Sequence, residues 1–315
     1  MQKFSVTILG SNSALPANGR NPTSQLLNVN NQYYLIDCGE GTQMQLRRYR
    51  LKMQRISAIF ISHLHGDHYF GLLGLLNSLH LLGRTATLTI VCPSLLKHIV
   101  DIQMNAAGGK LQYPIEYKFT DDVQKRNNKR PVYLDKHIEV DAFPLKHRID
   151  CCGFTFKEVK GEHKYLPEKG TEVGIKIQEI PQVKKGKNVV REDGTRIFFK
   201  DVTTPPDPQR TYAYCTDTRP LESTSDYAKH ADVMYHEATF LFIDASKAKQ
   251  TYHSTALKAG EVAKNAKVGQ LLIGHFSARY DNLIPLLEEA KKEFENTDLA
   301  IEGKEFEINL SQTSY

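Results

Sequence analysis

The sequence predicts a layered α/β fold in one domain. Short apolar runs typical of strands recur along the chain, and amphipathic segments typical of helices lie between them. The 315 residues are 40% hydrophobic, which suffices for a full core, and a chain of this size buries about 75% of its unfolded surface. We therefore expect strands and helices to pack in layers around a common core.

Ten apolar runs predict the strands. In chain order they read FSVTIL, SQLLNV, QYYLIDC, ISAIFI, ATLTIV, HIEVDAFPL, RTYAYC, DVMYH, QLLIGH and EFEINL. Their β-branched and aromatic residues are typical of pleated, at least half-buried segments. The first run follows a single Lys and alternates with polar residues, so it indicates a strand and not a signal peptide.

Five segments predict helices, at about residues 40–50, 68–82, 93–107, 254–267 and 281–295. In the second, Leu72, Leu76 and Leu79 recur at helical spacing, which predicts one buried face. In the last, Leu and Phe lie opposite Glu and Lys, as in an amphipathic helix.

Composition restricts the partner and the compartment. The net charge of +5 is compatible with an anionic partner without requiring one. The five cysteines are odd in number and lack a C-x-x-C pair, which predicts reduced thiols and a cytoplasmic location. The longest apolar segment, FGLLGLLNSLHLLG, is too short for a membrane helix, so we predict no membrane association.

Two polar stretches interrupt the pattern. Residues 121–131 are basic and are predicted to form a solvated loop. Residues 158–209 are rich in Lys, Glu, Gly and Pro. Such a long segment is a solvated loop or, more often, a functional element with structure of its own.

The segment HLHGDH carries the strongest chemical signal. His63, His65, Asp67 and His68 directly follow the apolar run ISAIFI. Side chains at the carboxyl end of a strand occupy the usual position of sites in α/β sheets. A single histidine there is more often structural, but three in six residues predict a metal site, since imidazole and carboxylate are zinc ligands.

Four ligands do not complete two catalytic zinc shells. Three further candidates each end an apolar run: His147, Asp217 and His275. Their shared placement predicts that they meet the HLHGDH segment in the folded chain.

Several longer motifs support these ligands. They are LGSNSALP, RNPTSQLL, LIDCGEGTQMQL, CTDTRP, HEATF, HSTA and GHFSARY, and with HLHGDH they run from residue 8 to residue 280. The set resembles the metallo-β-lactamase superfamily and, within it, the ribonuclease Z family of tRNA 3′-processing endonucleases. HLHGDH alone indicates only the superfamily, whereas HEATF, HSTA and GHFSARY are specific to the narrower family.

The resemblance implies an αββα four-layer sandwich spanning residues 1–315, with an inserted substrate-binding arm at about residues 158–209. It implies two Zn²⁺ ions per chain at the sandwich edge, with Mn²⁺ as an alternative occupant. The implied ligands are His63, His65 and His147 for one ion, Asp67, His68 and His275 for the other, and Asp217 as a bridge. Asp37 would hydrogen-bond to a ligand histidine, and the family implies a homodimer.

The implied reaction is removal of 3′ trailers from precursor tRNA by hydroxide attack on a phosphodiester, which leaves a 3′-hydroxyl. Asp67 would orient the nucleophile and act as a base. His253 would protonate the leaving oxygen, with Glu237 keeping its imidazole charged. The alternative for His253 is that it caps the helix beginning near Ser254.

Substrate contacts are predicted at Arg20, Thr23 and Ser24 and at Ser277 and Arg279, as phosphate-binding groups. For Thr23 and Ser24 the alternative is ordinary turn chemistry after Pro22.

In residues 158–209 the Gly-Pro-rich tip of the family's arm is replaced by VGIKIQEIPQVKKGKN. The basic residues Lys184, Lys185, Lys187 and Arg191 either contact tRNA or form a solvated loop.

Two other functions remain open from the sequence. One is a phosphodiesterase of the same fold that acts on another RNA or on a small phosphodiester; a lactonase is disfavoured by HEATF, HSTA and GHFSARY. The other is a metal-free RNA-binding protein, which is disfavoured because every expected ligand position carries a ligand residue.

Overall fold

The structure is a computed structural model that describes residues 3–123 and 131–311. Most of the loop predicted at residues 121–131 lies outside the described residues. No described helix is both long enough and apolar enough to cross a bilayer.

The strands of the described residues are short. In chain order they are β1 (Phe4–Gly10), β2 (Ser24–Val29), β3 (Gln32–Ile36), β4 (Ile56–Phe60), β5 (Leu88–Cys92), β6 (Ile115–Phe119), β7 (Tyr133–Leu134), β8 (Ile138–Leu145), β9 (Cys151–Glu158), β10 (Lys164–Tyr165), β11 (Val189–Val190), β12 (Arg196–Ile197), β13 (Thr203–Thr204), β14 (Thr211–Cys215), β15 (Val233–Glu237), β16 (Gln270–Gly274), β17 (Thr297–Leu299) and β18 (Glu305–Glu307).

The helices lie between these strands. They are α1 (Thr42–Arg48), α2 (Gly66–Tyr69), α3 (Leu72–Leu81), α4 (Leu95–Ala106), α5 (Pro167–Glu172), α6 (Ile180–Lys184), α7 (Phe199–Val202), α8 (Glu222–Tyr227), α9 (Ala245–Thr251), α10 (Ala256–Ala266) and α11 (Ile284–Lys291). Short 3₁₀ turns occur at Met53–Arg55, Ile177–Glu179 and Phe242–Asp244.

Two seven-stranded sheets form the main unit, Met1–Lys157 with Arg210–Tyr315. The first has the order β18-β1-β2-β3-β4-β5-β6, and β3 to β6 run parallel. The second has the order β17-β16-β15-β14-β9-β8-β7, with β14 to β17 parallel. Parallel strands end at the same edge of a sheet, so the loops after β4, β14, β15 and β16 are available to build one site.

Three apolar clusters define four layers. The sheets pack face to face through side chains such as Phe60, Phe154 and Tyr212. The outer face of the first sheet is covered by helices that contribute Leu46, Leu72 and Leu96. The outer face of the second is covered in the same way, by residues such as Ala259 and Leu286. The predicted αββα sandwich is therefore observed.

All ten predicted strands and all five predicted helices occur within a few residues of their expected limits. The strand β9, of sequence CCGFTFKE, was not predicted because Gly153 interrupts its apolar pattern. That glycine is needed for packing, since a Cβ there would lie 2.4 Å from ring atoms of Phe143. The strand pairs with β14, so its place in the sheet compensates for its weak local signal.

Residues Glu158–Gln209 form a second compact unit. It contains α5 to α7 and the strand pairs β10–β13 and β11–β12. A small core of Val183, Val189, Ile197 and Val202 holds these elements together. This segment therefore has structure of its own and is not an extended solvated loop; its role as a substrate-binding arm stays a prediction.

Candidate metal centre and active site

The loop after β4 brings the HLHGDH residues to the sheet edge. His63 lies three residues after the strand, and α2 carries Asp67 and His68. The loop packs closely on the DCGEG segment: a Cβ on Gly39 would lie 2.5 Å from the backbone oxygen of Asp67. A Cβ on Gly71 would lie 2.1 Å from the Gly39 oxygen, so only glycines allow the two backbones to approach this closely.

Three histidines and one aspartate oxygen form a first group of donor atoms. His65 Nδ1 lies 3.1 Å from His63 Nε2 and 3.0 Å from His147 Nε2. Asp217 Oδ2 lies 3.8 Å from His63 Nε2 and 3.7 Å from His147 Nε2. The four side chains come from the loops after β4, β8 and β14, so distant sequence segments converge here.

A second group shares the same aspartate through its other oxygen. Asp217 Oδ1 lies 3.1 Å from His275 Nε2 and 3.4 Å from His68 Nε2. Asp67 Oδ2 lies 3.4 Å from His275 Nε2 and 3.5 Å from His68 Nε2. The structure thus brings together all seven ligands predicted from the sequence. Their donor atoms group as His63, His65, His147 and Asp217 and as Asp67, His68 and His275, and a third group joins Asp217 and His275 to His253.

These donor sets fit divalent cations. Tetrahedral ligands about 2.0–2.1 Å from a zinc ion lie about 3.3–3.4 Å from one another, and the separations above range from 3.0 to 3.8 Å. Among the described residues, the buried Nε2 of His68 has no hydrogen-bond partner. An unpartnered buried imidazole nitrogen facing two carboxylates is the arrangement expected of a metal ligand.

The electrostatics of the second group favour a positive charge. Burial alone would lower the pKa of His68, but Asp67, Asp217 and Asp37 together raise it well above its ordinary value. The pKa of Asp217 shifts in the opposite direction, because histidines surround its carboxylate. Burial would raise its pKa, yet His275, His68 and His253 hold the pKa well below the ordinary range.

Asp37 orients the His68 side chain. Its Oδ2 accepts a hydrogen bond from His68 Nδ1 at 2.8 Å and from the hydroxyl of Tyr214 at 2.7 Å. Ser62 donates its backbone N–H to Oδ1 and its hydroxyl to Oδ2, at 2.8 and 2.9 Å. Asp37 occupies the left-handed region with φ 53°, a conformation that is rare outside glycine and concentrates at functional sites.

The predicted pair His253 and Glu237 lies beside the donor groups. His253 Nδ1 is 3.0 Å from Glu237 Oε1 and 3.9 Å from Asp217 Oδ2. Burial opposes the charged imidazole, but Glu237 and Asp217 outweigh it and raise the pKa of His253 to about 9. The alternative of a helix cap is wrong, because the hydroxyl of Thr255 accepts from Lys258 N–H and caps α10.

Sequence reasoning missed Thr239 in the HEATF motif. Its hydroxyl lies 2.6 Å from Glu237 Oε2 and 3.0 Å from His275 Nδ1, so it links the His253–Glu237 pair to a residue of the second donor group. It also missed the backbone oxygen of Tyr252, which lies 3.1 Å from His147 Nδ1. A threonine within a motif can be suspected from sequence, whereas a backbone contact gives no residue signal.

The donor groups line an open cavity of about 390 Å³. Besides ligands and His253, its walls include Ala14, Gly66, Phe70, Arg148 and Thr251. The backbone N–H of Ala14 donates to Asp67 Oδ2 at 2.8 Å, which holds this carboxylate toward the cavity.

The predicted substrate contacts divide into two groups. Thr23 and Ser24 are fully buried, and their hydroxyls donate to the backbone oxygens of Asn12 and Asp37 at 3.4 and 3.1 Å. The structure therefore favours the turn and strand role over substrate contact for these two residues. A buried hydroxyl that already donates to a backbone carbonyl cannot reach a phosphate.

The other three predicted contacts remain accessible. Arg20 is partly buried and donates to Asn12 Oδ1 at 3.0 Å and to the Tyr280 backbone oxygen at 2.7 Å. Arg279 is exposed and pairs with Asp244 at 3.1 Å, and Ser277 is partly buried. Both arginines are thus held by other parts of the protein.

Similarity to known proteins accords with this geometry. Ribonuclease Z of Bacteroides fragilis strain YCH46 is 42% identical over 303 residues, covering 96% of this chain and 98% of that protein. The chain belongs to the ribonuclease Z family. The crystal structure of human tRNase Z, short form, has 26% identity and a TM-score of 0.69, covering 97% of this chain and 99% of that one.

Two further matches of this chain extend beyond proteins named ribonuclease Z. Residues 4–258 match the family model described as anti-Pycsar protein Apyc1. The metallo-β-lactamase fold protein YhfI from Bacillus subtilis has a TM-score of 0.68 at 19% identity, covering 97% of this chain and 99% of that one. The second match is evidence for the shared fold alone.

Proposed function

We propose that this protein is a metal-dependent endoribonuclease that removes 3′ trailers from precursor tRNA and leaves a 3′-hydroxyl on the tRNA. The observation that carries the proposal is the pair of donor groups joined by Asp217, with the His253–Glu237 pair beside them in one cavity. Membership of the ribonuclease Z family supports the choice of substrate.

We propose two Zn²⁺ ions per chain, with Mn²⁺ able to occupy the same nitrogen and oxygen donors. His63, His65, His147 and Asp217 would hold one ion, and Asp67, His68, His275 and Asp217 the other. When bound, such ions lower the pKa of water to about 7 and offset the charge of a phosphoryl group.

The protein's own side chains supply the positioning and the proton. Asp67 is fixed by Ala14 N–H and borders the cavity, where it orients the attacking water. The Glu237 carboxylate, 3.0 Å from His253 Nδ1, favours the charged imidazole, so His253 can protonate the leaving ribose oxygen.

Glu237 is preorganised to hold His253. It is fully buried, and its Oε1 accepts N–H bonds from Thr218 and Ser254 at 3.0 Å each. Its Oε2 accepts from the N–H and hydroxyl of Thr239 at 3.1 and 2.6 Å. Four such donors favour the charged carboxylate, which keeps the imidazole oriented and charged.

We propose a cytoplasmic location and a dimeric assembly. All five cysteines are free and buried, as suits a reducing cytoplasm. We propose a homodimer by analogy with the family, and light scattering after size-exclusion chromatography would test it; a mass of one chain, near 35.8 kDa, would contradict it.

The function is tested with a precursor tRNA carrying a 3′ trailer. We expect cleavage near the discriminator nucleotide, abolished by a chelator and restored by Zn²⁺ or Mn²⁺. Cleavage of bis(p-nitrophenyl) phosphate without cleavage of the precursor would instead favour the small-phosphodiester alternative. Tight binding of intact RNA without cleavage would favour an RNA-binding protein.

A further inference from the structure

We propose that Phe70 and Arg148 form a nucleotide clamp in the active-site cavity. Phe70 stacks on a base that flanks the scissile phosphodiester, and Arg148 binds a neighbouring phosphate. The clamp rests on the proposed function and extends it to the way in which the RNA end is positioned. Neither residue belongs to the donor groups or to the His253–Glu237 pair.

Phe70 presents an apolar ring to the cavity of the donor groups. It follows His68 by two residues, lines the cavity of the donor groups and is 63% exposed. Its ring packs closely on Gly66, where a Cβ would lie 2.1 Å from Phe70 Cε2, and it makes an edge contact with Tyr69 at 5.1 Å. The ring thus contacts Gly66 and Tyr69, and most of its surface remains open to the cavity.

Single exposed apolar side chains are ordinary on protein surfaces. The position of this one is informative because it adjoins Asp67 and His68 and faces the space where the substrate must lie. Single-stranded RNA is bound through bases that stack on aromatic side chains. A 3′ trailer supplies such unpaired bases on the leaving side of the scissile bond.

Arg148 supplies a positive charge on the neighbouring loop. It directly follows His147, is exposed and lines the same cavity. Among the residues that the structure describes, no carboxylate forms an ion pair with it within 4.0 Å. Arg20 and Arg279, by contrast, are held by Tyr280 and Asp244.

The chemistry of the two side chains is complementary. A planar guanidinium binds phosphate oxygens through paired N–H groups, and this contact does not depend on base identity. A benzene ring stacks on any base. Together they would hold one nucleotide step next to the donor groups without selecting a trailer sequence.

The role of Phe70 is tested by a double-mutant cycle in which one change is made in the protein and the other in the substrate RNA. The substrates are precursor tRNA with an abasic site either at the discriminator position or at the first trailer nucleotide. Phe70→Ala should lower kcat/KM for the intact substrate by roughly 5- to 150-fold. At the stacked position, removal of the base should lower kcat/KM of the wild-type protein by a similar factor. It should not lower kcat/KM of Phe70→Ala any further.

Phe70→Tyr should retain activity, whereas Phe70→Leu, which is apolar but has no ring, should resemble Phe70→Ala. Phe119→Ala is the matched control, because Phe119 is 42% exposed on β6 and lies outside the cavity. The clamp is overturned if neither abasic site lowers kcat/KM of the wild-type protein. It is also overturned if the factors lost through Phe70→Ala and through the abasic site multiply when the two changes are combined.

The Arg148 half is tested by salt dependence. The slope of log kcat/KM against log salt should become shallower by about 0.7–0.9 in Arg148→Ala, as for one lost phosphate contact. Arg148→Lys should keep most of the slope. Arg55→Ala is the control, since Arg55 is exposed at the opposite end of β4. An unchanged slope in Arg148→Ala overturns this half.

Different results would contradict the proposed function and the nucleotide clamp. If the wild-type protein does not cleave precursor tRNA, the proposed function is wrong. If it cleaves the precursor while both variants match their controls, only the clamp is wrong. Zinc content and thermal midpoint measured on each variant identify a loss that is due to misfolding.

Discussion

Asp217 shows how one residue organises the site. It is buried, its two carboxylate oxygens face different groups of histidines, and it lies within 3.9 Å of His253 as well. A buried carboxylate is costly unless it is paired and hydrogen-bonded. The surrounding imidazoles lower its pKa, so it stays charged and available to both donor groups.

Asp217→Ala is expected to abolish binding of both metal ions, because each donor group loses its shared oxygen. Metal content after dialysis, measured by mass spectrometry, checks this. Asp226→Ala changes an exposed aspartate on α8 and should keep full metal content. Full occupancy in Asp217→Ala would disprove the bridging role.

His253→Ala is expected to keep its metal ions and to lose roughly 10²- to 10⁴-fold in kcat, the usual contribution of a positioned acid or base. The helix that follows should be unaffected, since Thr255 and not His253 caps it. Metal analysis and single-turnover cleavage separate the two effects. Loss of metal would make His253 a ligand and would refute its assignment as proton donor.

At the scale of elements, the inserted unit Glu158–Gln209 carries little net charge. Counting residues 158–209 gives ten Lys and Arg against nine Asp and Glu, so its net charge is only +1. Lys184 pairs with Glu162 at 3.1 Å and Arg191 with Glu179 at 2.9 Å, while Lys185 and Lys187 are exposed. A tRNA contact here would therefore depend on a few local charges.

Removing this unit should leave the main fold intact. Strands β9 and β14 pair antiparallel, with Lys157 opposite Thr211, so a two-residue Asn-Gly turn between Glu158 and Arg210 can replace residues 159–209. We expect the shortened chain to retain metal and hydrolysis of bis(p-nitrophenyl) phosphate, but to bind precursor tRNA at least about tenfold more weakly.

Filter binding and the small-substrate assay measure these two effects. Lys185→Ala with Lys187→Ala in the full chain serves as a milder comparison, and Lys169→Ala with Lys176→Ala as its charge-matched control. Unchanged tRNA affinity in the shortened chain would refute the substrate-binding role of the unit.

At the scale of the whole molecule, the donor groups connect the two sheets. His63, His65, Asp67 and His68 follow a strand of the first sheet, whereas His147, Asp217 and His275 follow strands of the second. Ions bound by both sets would crosslink the layers of the sandwich. Ligands that bind only the folded state add to its stability by mass action.

Chelation is therefore expected to lower the thermal midpoint by several degrees, since metal at 100-fold its dissociation constant contributes about 2.7 kcal/mol. Differential scanning calorimetry with and without chelator measures this change. Asp217→Ala is the control and should show almost no response. Equal midpoints for the wild-type protein under both conditions would contradict metal binding across the layers.

The sequence by itself determined ten of the strands, the main helices and a set of seven candidate ligands. Short apolar runs, leucines at helical spacing and polar residues directly after apolar runs are local patterns, and they predicted ten strands, the main helices and the seven candidate ligands. The resemblance of HEATF, HSTA and GHFSARY to a family added the pairing of His253 with Glu237. The predicted elements agree with the structure because strand ends and helical faces are encoded within a few residues, whereas the roles of the site residues stay predictions.

Only the tertiary structure decided which side chains are free to act. Thr23 and Ser24 look like phosphate ligands in sequence but are buried, and Arg20 and Arg279 are held by Tyr280 and Asp244. Arg148 and Phe70 carry no local signal, yet they line the cavity. Exposure and partners depend on residues more than 200 positions away, such as Tyr280 for Arg20, and no local pattern contains that information.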